Sequence, residues 1–571
     1  MRRAVLAIVL CAAPLSAVPA HASTSLVERS AMRELLSRQP RASNDGVLPL
    51  PLPESPRARS AAGPGELAIL ARNAGPVRVL VGARTHADVP GLAARLRRLG
   101  ARPEAVGTIG VLAASAPSGA ALVAALRDDP RVAYVERDRT LRVAADPFDA
   151  VDPATGIKFT WFYDEVRAAE TLVAAGGGST RSVAVIDTGI DISHPEFGGA
   201  ARIGRTFDTA SRGADVTDAV GHGTFVSGLV AAIDGNGIGG KGVAGNTKVI
   251  AVRGSRDGTF TITDLVRGID FSVRAGADVL NMSLAGQCFS RSQVRALDAA
   301  FYNDVLPVAA SGNNGLAGNP LECPAAAVGG RRGRAGIGLS VAATKPGGGV
   351  AAFSNHNQFV SIAAPGAGPS GCEFGVLSTL PAHGQTAWDH QLSCSRVFAL
   401  PEGRYAYGEG TSFSAPIVSG IAALVWQVER RLASEQVADV MTRSARQTIG
   451  SGWNEFTGAG ILDGAAAAAL ARTYDVTPPV ARGSARRSGQ TVAVRLRSSR
   501  DRTEPGRELS GGVTYSLLVS RGGDIDPIAQ RRKRPVSATV RLRGRRPNVV
   551  VATACDRNGN CGLRRLGRYR P

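Results

Sequence analysis

The sequence has little of what marks several common classes of protein. It contains no C-x-x-C pair, which argues against a zinc or redox site. Beyond the N-terminus, no stretch reaches the roughly 18 consecutive apolar residues that a membrane-spanning helix needs. Aromatic residues make up only 5% of the chain, and they are nearly absent from its basic C-terminal part. That scarcity argues against a dedicated, specific reader of nucleic-acid bases.

Acidic residues are in the minority, and the shortage is concentrated at one end of the chain. The sequence holds 67 Lys+Arg against 47 Asp+Glu, a net charge of +20, and the part from Val476 onward holds 22 against 6. Arg531–Arg534 and the arginines from Arg541 to Arg546 are the densest groups. This density predicts binding to anionic cell-envelope polymers, or non-specific binding to nucleic acid. A solvated basic surface that binds no partner explains this composition equally well.

The N-terminus has the three parts of a secretory signal. Arg2 and Arg3 supply the charged region, Ala4–Ala13 the apolar region, and Ala20-His21-Ala22 the small-residue cleavage site. We therefore expect residues 1–22 to be removed and the protein to be secreted or extracytoplasmic, with the periplasm and the cell surface both open. An uncleaved anchor is the alternative, although the apolar run is short for a bilayer.

Six cysteines remain once Cys11 leaves with the signal. An even number of cysteines in an exported chain indicates disulfides. We predict the pairs Cys372–Cys394 and Cys555–Cys561 from local spacing, and Cys288–Cys323 as a third pair that would brace two loops. Connectivity is not fixed by the sequence alone.

Composition and periodicity divide the rest of the chain into four parts. Residues 23–75 are rich in Ala, Arg, Pro and Ser and are predicted to be a flexible tether. Residues 76–147 show strand and helix patterns in the order β-α-β-α-β, with one strand expected at Ala105–Ala113, which indicates a compact α/β unit. In residues 148–474, apolar strands alternate with helices, which predicts a mostly parallel sheet covered on both faces. Residues 475–571 contain four runs of period-2 alternation, as in a small β-sandwich.

The stretch around which the chain is organised is Gly410–Pro416. Apolar residues follow it at helical spacing, and Pro416 is expected in the first turn of that helix. Ser412 should therefore lie at the N-terminal end of a buried helix, where unpaired N–H groups and the helix dipole stabilise a transient negative charge. Taken alone, Ser412 is more simply explained as an N-cap.

Three polar residues upstream favour a chemical role for Ser412. Asp187 directly follows a predicted buried strand, His222 opens a predicted helix, and Asn313 follows another strand. A serine hydroxyl becomes a nucleophile when an imidazole takes its proton, and the imidazole needs a carboxylate to fix its tautomer. The side chain of Asn313 can offer an N–H to a developing oxyanion.

Four motifs carry a resemblance to a known family. The segments DTGID at Asp187, GHGT at His222, SGNN at Ser311 and GTSFSAP at Gly410, in this order, resemble the subtilase family of serine peptidases. The resemblance implies a subtilisin-like three-layer α/β fold, secretion as a self-processing proenzyme, and hydrolysis of polypeptides by Asp187, His222 and Ser412. It also implies that Asn313 binds the oxyanion. The expected substrate-binding residues are Ser283, Leu284, Ala285, Ser311 and Gly312.

The sequence departs from the family pattern at several positions. Phe225 replaces a histidine that usually lies three residues after the catalytic one. Ala285 replaces a glycine, and its methyl group should narrow the rim of the primary specificity pocket, which puts the usual preference for large apolar side chains in doubt. Asn236–Gly240 resembles a calcium loop with Glu196 near a ligand position, but only one carboxylate matches, so a glycine-rich turn is favoured. We therefore expect no metal and no cofactor, with calcium as the open alternative.

The α/β unit before the peptidase-like part has its own implied role. Its segment RVAYVERD, ending at Asp138, resembles the last strand of subtilase propeptides, which are ferredoxin-like chaperone-inhibitors. The alternative is an independent domain, although it contains no ligand motif. The following run, Arg139–Phe148, can lie extended and pair with Ser283-Leu284-Ala285 as a substrate would. We expect cleavage after about residues 139–152, inhibition by the released propeptide, and a monomeric enzyme.

A function from another class also fits part of the sequence. The chain could be a basic binding or adhesion protein that uses an inactive peptidase body as a scaffold, as its arginine-rich C-terminal part suggests. Intact residues at all four candidate catalytic positions favour the peptidase. Cleavage of casein by the purified protein, lost in Ser412→Ala, distinguishes the two.

Overall fold

The computed structural model describes residues 70–571, with gaps. The gaps are at 108, 139, 144–159, 200–201, 235, 237–238, 289, 370–374, 383–396, 401–402, 522–523, 533–535 and 545–546. The predicted signal and most of the predicted tether therefore lie outside the described residues. So does the predicted Cys372–Cys394 pair.

The first described unit is a four-stranded antiparallel sheet with two helices. Its elements are β1 Val77–Ala83, α1 Val89–Arg98, β2 Arg102–Val106, β3 Val111–Ala116, α2 Gly119–Leu126 and β4 Val132–Arg137. The strand order β2-β3-β1-β4 is ferredoxin-like, as predicted. The single strand predicted at Ala105–Ala113 is wrong, because the chain turns between β2 and β3. Gly107 and Gly110 take φ values of 61° and 70° in that turn, which glycine adopts without steric cost.

A seven-stranded parallel sheet forms the centre of the next unit. Its strands are β6 Ser182–Asp187, β7 Ile203–Asp208, β8 Lys248–Arg253, β10 Val279–Met282, β12 Leu306–Ala310, β14 Leu339–Thr344 and β15 Ile362–Pro365. They lie in the order β15-β14-β12-β10-β6-β8-β7. From β6 the chain first builds one side of the sheet and then the other. This change of direction makes β6 the switch point, beside which ligands usually bind in such sheets.

Helices and short strands surround this sheet. The helices are α3 Trp161–Glu165, α4 Ala168–Ala174, α5 His222–Ala231, α6 Ile262–Arg274, α7 Arg291–Tyr302, α8 Ala325–Val328, α9 Thr411–Val428, α10 Ser434–Arg443 and α11 Gly464–Thr473. The short strands are β5 Thr140–Val143, β9 Thr259–Thr261, β11 Leu284–Gln287, β13 Glu322–Cys323, β16 Val376–Leu380, β17 Val397–Leu400 and β18 Gly403–Gly408.

Both faces of the central sheet are buried, which gives the predicted three layers. In β6, Val183 and Val185 belong to the core that contains α5 and α9. Ala184 and Ile186 point the opposite way, into the core that contains α6 and α7. By its length and its apolar composition, helix α9 could cross a membrane. However, 89% of it is buried inside the protein. Here that apolar composition marks the core helix of the fold.

The C-terminal unit is a two-sheet β-sandwich. It contains β19 Arg482–Ser488, β20 Thr491–Arg497, β21 Thr514–Arg521, β22 Asp524–Arg532, β23 Ser537–Arg541, β24 Asn548–Cys555 and β25 Cys561–Tyr569. The sheets β19-β20-β23 and β22-β21-β24-β25 enclose one apolar core, to which Val494 and Val550 contribute from opposite sheets. The sequence predicted four of these strands. It missed β19, β22 and β25, in which charged and polar residues obscure the alternation.

Two of the predicted disulfides are present. Cys288–Cys323 joins the end of β11 to β13, with a Cα–Cα distance of 5.0 Å. Cys555–Cys561 closes the turn between β24 and β25, with a Cα–Cα distance of 4.1 Å. Both cross-links join strands that already pair with each other.

Candidate active site

Asp187 and His222 meet at the carboxyl end of β6. Nδ1 of His222 lies 2.7 Å from Oδ1 of Asp187, and both side chains are buried. The backbone N–H of Thr188 donates to the same carboxylate oxygen at 2.8 Å. The start of α5 comes this close because position 223 is glycine, where a Cβ would overlap the carbonyl oxygen of Gly189. The buried carboxylate of Asp187 thus accepts a hydrogen bond from the imidazole of His222 and fixes the orientation of its ring.

Asp218 holds the start of α5 in place, although the sequence analysis gave it no role. One carboxylate oxygen accepts hydrogen bonds from the N–H of Gly221 at 2.8 Å and the hydroxyl of Thr188 at 2.9 Å. The other accepts from the N–H and the hydroxyl of Thr224, at 2.8 and 2.7 Å. Asp218 thus ties the helix that carries His222 to the turn after β6. An acidic residue just before a helix start is the signal that could have identified it.

Ser412 is the second residue of α9 and is buried against the end of β10. Its Oγ lies 3.4 Å from the carbonyl oxygen of Ser283. The ring of the next residue, Phe413, is 5.6 Å from the His222 ring between centroids, so the start of α9 packs against the Asp187–His222 pair. The fold therefore brings Ser412, at the start of α9, close to the Asp187–His222 pair.

Pro416 does not lie where the sequence predicted it, and its position in α9 explains a hydrogen bond to the backbone of Ser412. Pro416 is the sixth residue of α9 and lies inside the helix instead of in its first turn. Proline has no N–H, so the carbonyl oxygen of Ser412, four residues earlier, lacks its usual helical donor. The hydroxyl of Ser283 donates to that oxygen at 2.6 Å, and Asn281 in turn donates to Ser283 at 3.0 Å. A buried polar chain thus anchors the backbone of Ser412 to β10.

Asn313 is oriented by the residue that precedes Ser412. Its Oδ1 accepts hydrogen bonds from the N–H of Thr411 at 3.0 Å and from the Thr411 hydroxyl at 2.8 Å. The N–H of Gly312 donates to the same hydroxyl at 3.1 Å. Because Oδ1 faces Thr411, the Nδ2 group lies on the other branch of the amide. The loop after β12 and the start of α9 are therefore joined directly beside Ser412.

The cleft beside Ser412 holds a strand of the same chain. β5 lies between β11 and β9, antiparallel to both, with Val143 opposite Leu284 and Arg142 opposite Ala285. This is the pairing predicted between the segment from Arg139 and the Ser283-Leu284-Ala285 edge. Antiparallel addition to an exposed strand is the usual way in which a cleft binds an extended peptide.

The remaining candidate substrate-binding residues, Ser311 and Gly312, lie in the loop after β12. Ser311 is buried, and its hydroxyl donates to the carbonyl oxygen of Asn355 at 3.1 Å. Gly312 follows it with a φ of 108°, a conformation that favours glycine. Phe225 is fully buried, and its ring lies 4.5 Å from that of Phe413. Phe225 is thus a packing residue beneath the site.

Among the described residues near the calcium-like loop, hydrogen-bond donors surround the carboxylate of Glu196. The Glu196 carboxylate accepts hydrogen bonds from Asn236 Nδ2 at 2.9 Å, Gly240 N–H at 2.8 Å and Tyr405 hydroxyl at 3.0 Å. Donors therefore converge on the carboxylate where a cation would need acceptors, and burial raises its pKa. Elsewhere, Asp475, Asp501 and Asp556 lie close enough to hold a cation, but no other feature of the described residues points to one.

Comparison with known proteins places the chain among serine peptidases. The subtilase family model matches residues 178–460. The chain is similar to the thermophilic serine proteinase of Bacillus sp. strain AK1, with 30% identity over 332 residues, 56% of this chain and 70% of the relative. It is 31% identical to alkaline elastase YaB of Bacillus sp. strain YaB, over 57% of this chain and 71% of that protein. Subtilisin DY of Bacillus licheniformis is 30% identical, over 51% and 92% of the two chains.

Proposed function

The chain belongs to the subtilase family and is a serine-type endopeptidase, and we propose that Asp187, His222 and Ser412 are its catalytic triad. The contact that best supports this assignment is the buried 2.7 Å bond between Asp187 and His222, against which the start of α9 packs. Its substrates are polypeptides. Clearance of casein by the purified mature protein, abolished in Ser412→Ala, tests the assignment.

The proposed mechanism gives each residue of the site one role. Ser412 Oγ attacks the scissile carbonyl carbon while Nε2 of His222 takes the hydroxyl proton. Asp187 holds the proton on Nδ1 and stabilises the imidazolium that forms. His222 then gives its proton to the leaving amine, and water repeats the sequence to release the acyl group. Nδ2 of Asn313 and the N–H of Ser412 stabilise the oxyanion.

Asn313→Ala is expected to lower kcat by about 10²–10³ and to leave KM nearly unchanged. The donor acts on charge that exists only in the transition state, and this magnitude is the one measured for an equivalent donor in a subtilisin. Steady-state hydrolysis of a peptide substrate measures both constants. Asn246→Ala, in which the lost side chain binds only the Gly177 carbonyl on the surface, is the matched control. A fall in kcat below tenfold would remove Asn313 from the mechanism.

We propose that the chain matures by cutting itself just beyond β5. A peptide that extends β5 by one residue in the same antiparallel register would place that residue opposite Ser283. The carbonyl oxygen of Ser283 is 3.4 Å from Ser412 Oγ, so the bond after such a residue, which is Ala144 in the sequence, is the one that we propose is cut. Residues 144–159 lie outside the described part of the chain. The Ala144–Ala145 bond falls inside the window of 139–152 predicted from the sequence.

Two acidic residues of the first unit support its proposed role as chaperone and inhibitor. The buried carboxylate of Glu136 accepts hydrogen bonds from the N–H groups of Arg291 and Ser292, at 2.6 and 2.9 Å, at the start of α7. Asp138 accepts from the N–H of Thr263 at 3.0 Å, at the start of α6. Carboxylates at helix N-termini stabilise exposed donors and the helix dipole. Docking of this unit would therefore help two helices beside the cleft to form.

A peptide spanning residues 76–143 is expected to inhibit the mature enzyme, and Glu136→Ala should weaken that inhibition about 10- to 100-fold. The estimate assumes that the variant loses charge-assisted hydrogen bonds worth about 1.5–3 kcal/mol in total. Inhibition constants measured with a chromogenic peptide substrate check it. Asp128→Ala, which removes an exposed acid from the same unit, is the control. Full activity in the presence of excess wild-type peptide would refute the inhibitor role.

We propose that the protein works outside the cytoplasm and that its C-terminal sandwich binds anionic polymers of the cell envelope. The outer face of the sheet β19-β20-β23 supports the second point. Register places Arg482 opposite Arg497, and both are exposed, on the same face as Arg486, Arg495 and Arg541. Like charges directly opposite each other destabilise a sheet, so a polyanion would relieve their repulsion.

Changing Arg486, Arg495 and Arg497 together to Gln should lower the salt concentration that elutes the protein from a heparin column. Each substitution removes an ionic contact between an arginine and the anionic groups of heparin, and salt weakens such contacts. The control changes Arg331, Arg332 and Arg334, which are exposed on the peptidase unit, and so removes the same net charge elsewhere. Equal shifts for the two triple variants would mean that net charge alone, and no defined face, causes retention.

A further inference from the structure

Glu322 is an acidic residue beside the cleft that the proposed mechanism does not use. It lies in β13, which pairs antiparallel with β11, so that Gln287 is opposite Glu322. On the other side its Oε1 accepts a hydrogen bond from Nδ2 of Asn314 at 3.1 Å. The carboxylate also lies close to Gly312, because a Cβ added at that glycine would overlap Oε2 of Glu322. The carboxylate therefore lies between the strand that pairs with β5 and the loop that carries Asn313.

The carboxylate of Glu322 is held in position without a balancing charge. Nδ2 of Asn355 donates to Oε2 at 2.8 Å, which together with Asn314 fixes both oxygens by neutral amides. Within the part of the chain that the structure describes, no Lys or Arg forms an ion pair with Glu322. Its side chain is only partly buried. Burial raises the pKa of Glu322, as expected for a carboxylate that has lost water and gained no cation.

The strand register indicates which substrate side chain reaches this carboxylate. A peptide that follows β5 would place the residue before the scissile bond opposite Ser283. β11 and the loop at Gly312 both adjoin Glu322, which lies opposite Gln287 on one side and against Gly312 on the other. A large apolar side chain there would remove water from the carboxylate and give it no partner. A long cationic side chain would pair with it, and a short one would leave it hydrated.

On the basis of the proposed function, we propose that Glu322 makes this peptidase prefer Lys or Arg immediately before the scissile bond. Alanine is the intermediate case, and large apolar residues are the worst. Ala144 at the proposed maturation site is compatible with this order, because an intramolecular cleavage has a high effective concentration and does not need the added contact.

Three peptide substrates that differ only in the residue before the scissile bond, Lys, Ala or Phe, test the proposal. The wild-type enzyme should show a kcat/KM for Lys at least about tenfold above that for Phe, a modest contribution for one partly buried charge pair. Glu322→Gln keeps the size and removes the charge, and should bring the Lys:Phe ratio to within about threefold of one. Glu322→Ala should also lose the Lys preference and accept Phe better, because it removes bulk as well.

The Ala substrate and a surface variant make the outcomes distinct. Thermal unfolding of each variant near the wild-type temperature shows that the fold is intact, and fluorophosphonate labelling shows that Ser412 is still reactive. Glu170→Gln, which removes an exposed acid that contacts Arg167, should leave the Lys:Phe ratio unchanged. If the wild type cleaves the Ala substrate but prefers Phe, or if Glu322→Gln leaves its ratio unchanged, the inference is wrong and the proposed function stands. Failure to cleave any of the three overturns both.

Discussion

Ser412→Ala is expected to lower peptide hydrolysis by about 10⁶, the loss measured when the nucleophile of a subtilisin is removed. Without Oγ no acyl-enzyme can form, and the remaining groups can only orient water. The fold should survive, because the backbone of Ser412 is anchored by the hydroxyl of Ser283, which the substitution leaves in place. Circular dichroism and thermal unfolding check this.

The same variant should accumulate as a precursor that begins at Ser23. In the wild type, the proposed self-cleavage gives a mature chain that begins at Ala145. N-terminal sequencing of the two purified proteins measures the difference. Ser444→Ala, whose hydroxyl bonds only backbone of its own helix, should mature normally. If Ser412→Ala, purified alone, still acquires the wild-type N-terminus, another mechanism performs the maturation.

Asp187→Asn should lower kcat by about 10⁴. An amide oxygen at the Oδ1 position can still accept from the N–H of Thr188 and from Nδ1 of His222, but it carries no negative charge. The imidazolium that forms during the reaction would therefore lose the charge that stabilises it. Single-turnover and steady-state rates on one peptide substrate measure the loss.

Asp191→Asn is the matched control for that prediction. Asp191 belongs to the same motif, but its carboxylate binds the N–H and hydroxyl of Ser193 and the N–H of Ala382. Its replacement should cost stability and change kcat by less than about tenfold. Comparable losses for the two variants would mean that Asp187 supports the fold and has no special role toward His222.

The sequence predicted the central fold well because its strands are buried on both faces. Val183–Ile186 and Leu306–Ala310 are continuous apolar runs bounded by polar turns, which is typical of strands in a parallel sheet covered on both faces. The turn that splits Ala105–Ala113 was missed because Gly107 and Gly110 interrupt a run that remains apolar on both sides. Strands such as β19 were missed because arginine occupies their exposed face.

The residues of the candidate site were also predicted only in part. Motif order placed Asp187, His222, Asn313 and Ser412 together, because residues at the carboxyl ends of parallel strands meet at one edge of the sheet. The supporting residues were not predicted. Asp218 acts through a helix start, and Glu322 acts through strand pairing with β11. Neither relation is visible from spacing along the chain, since each depends on elements that come together only in the folded protein.

The most direct test of the account is to find which residue a fluorophosphonate probe labels. The probe forms a covalent bond only with a hydroxyl that a neighbouring base activates. Peptide mapping by mass spectrometry of the labelled mature protein should find the adduct on Ser412, and labelling should disappear in Asp187→Asn and His222→Ala. An adduct on another serine, or none on an enzyme that still cleaves casein, would contradict the assignment of Ser412 as the nucleophile.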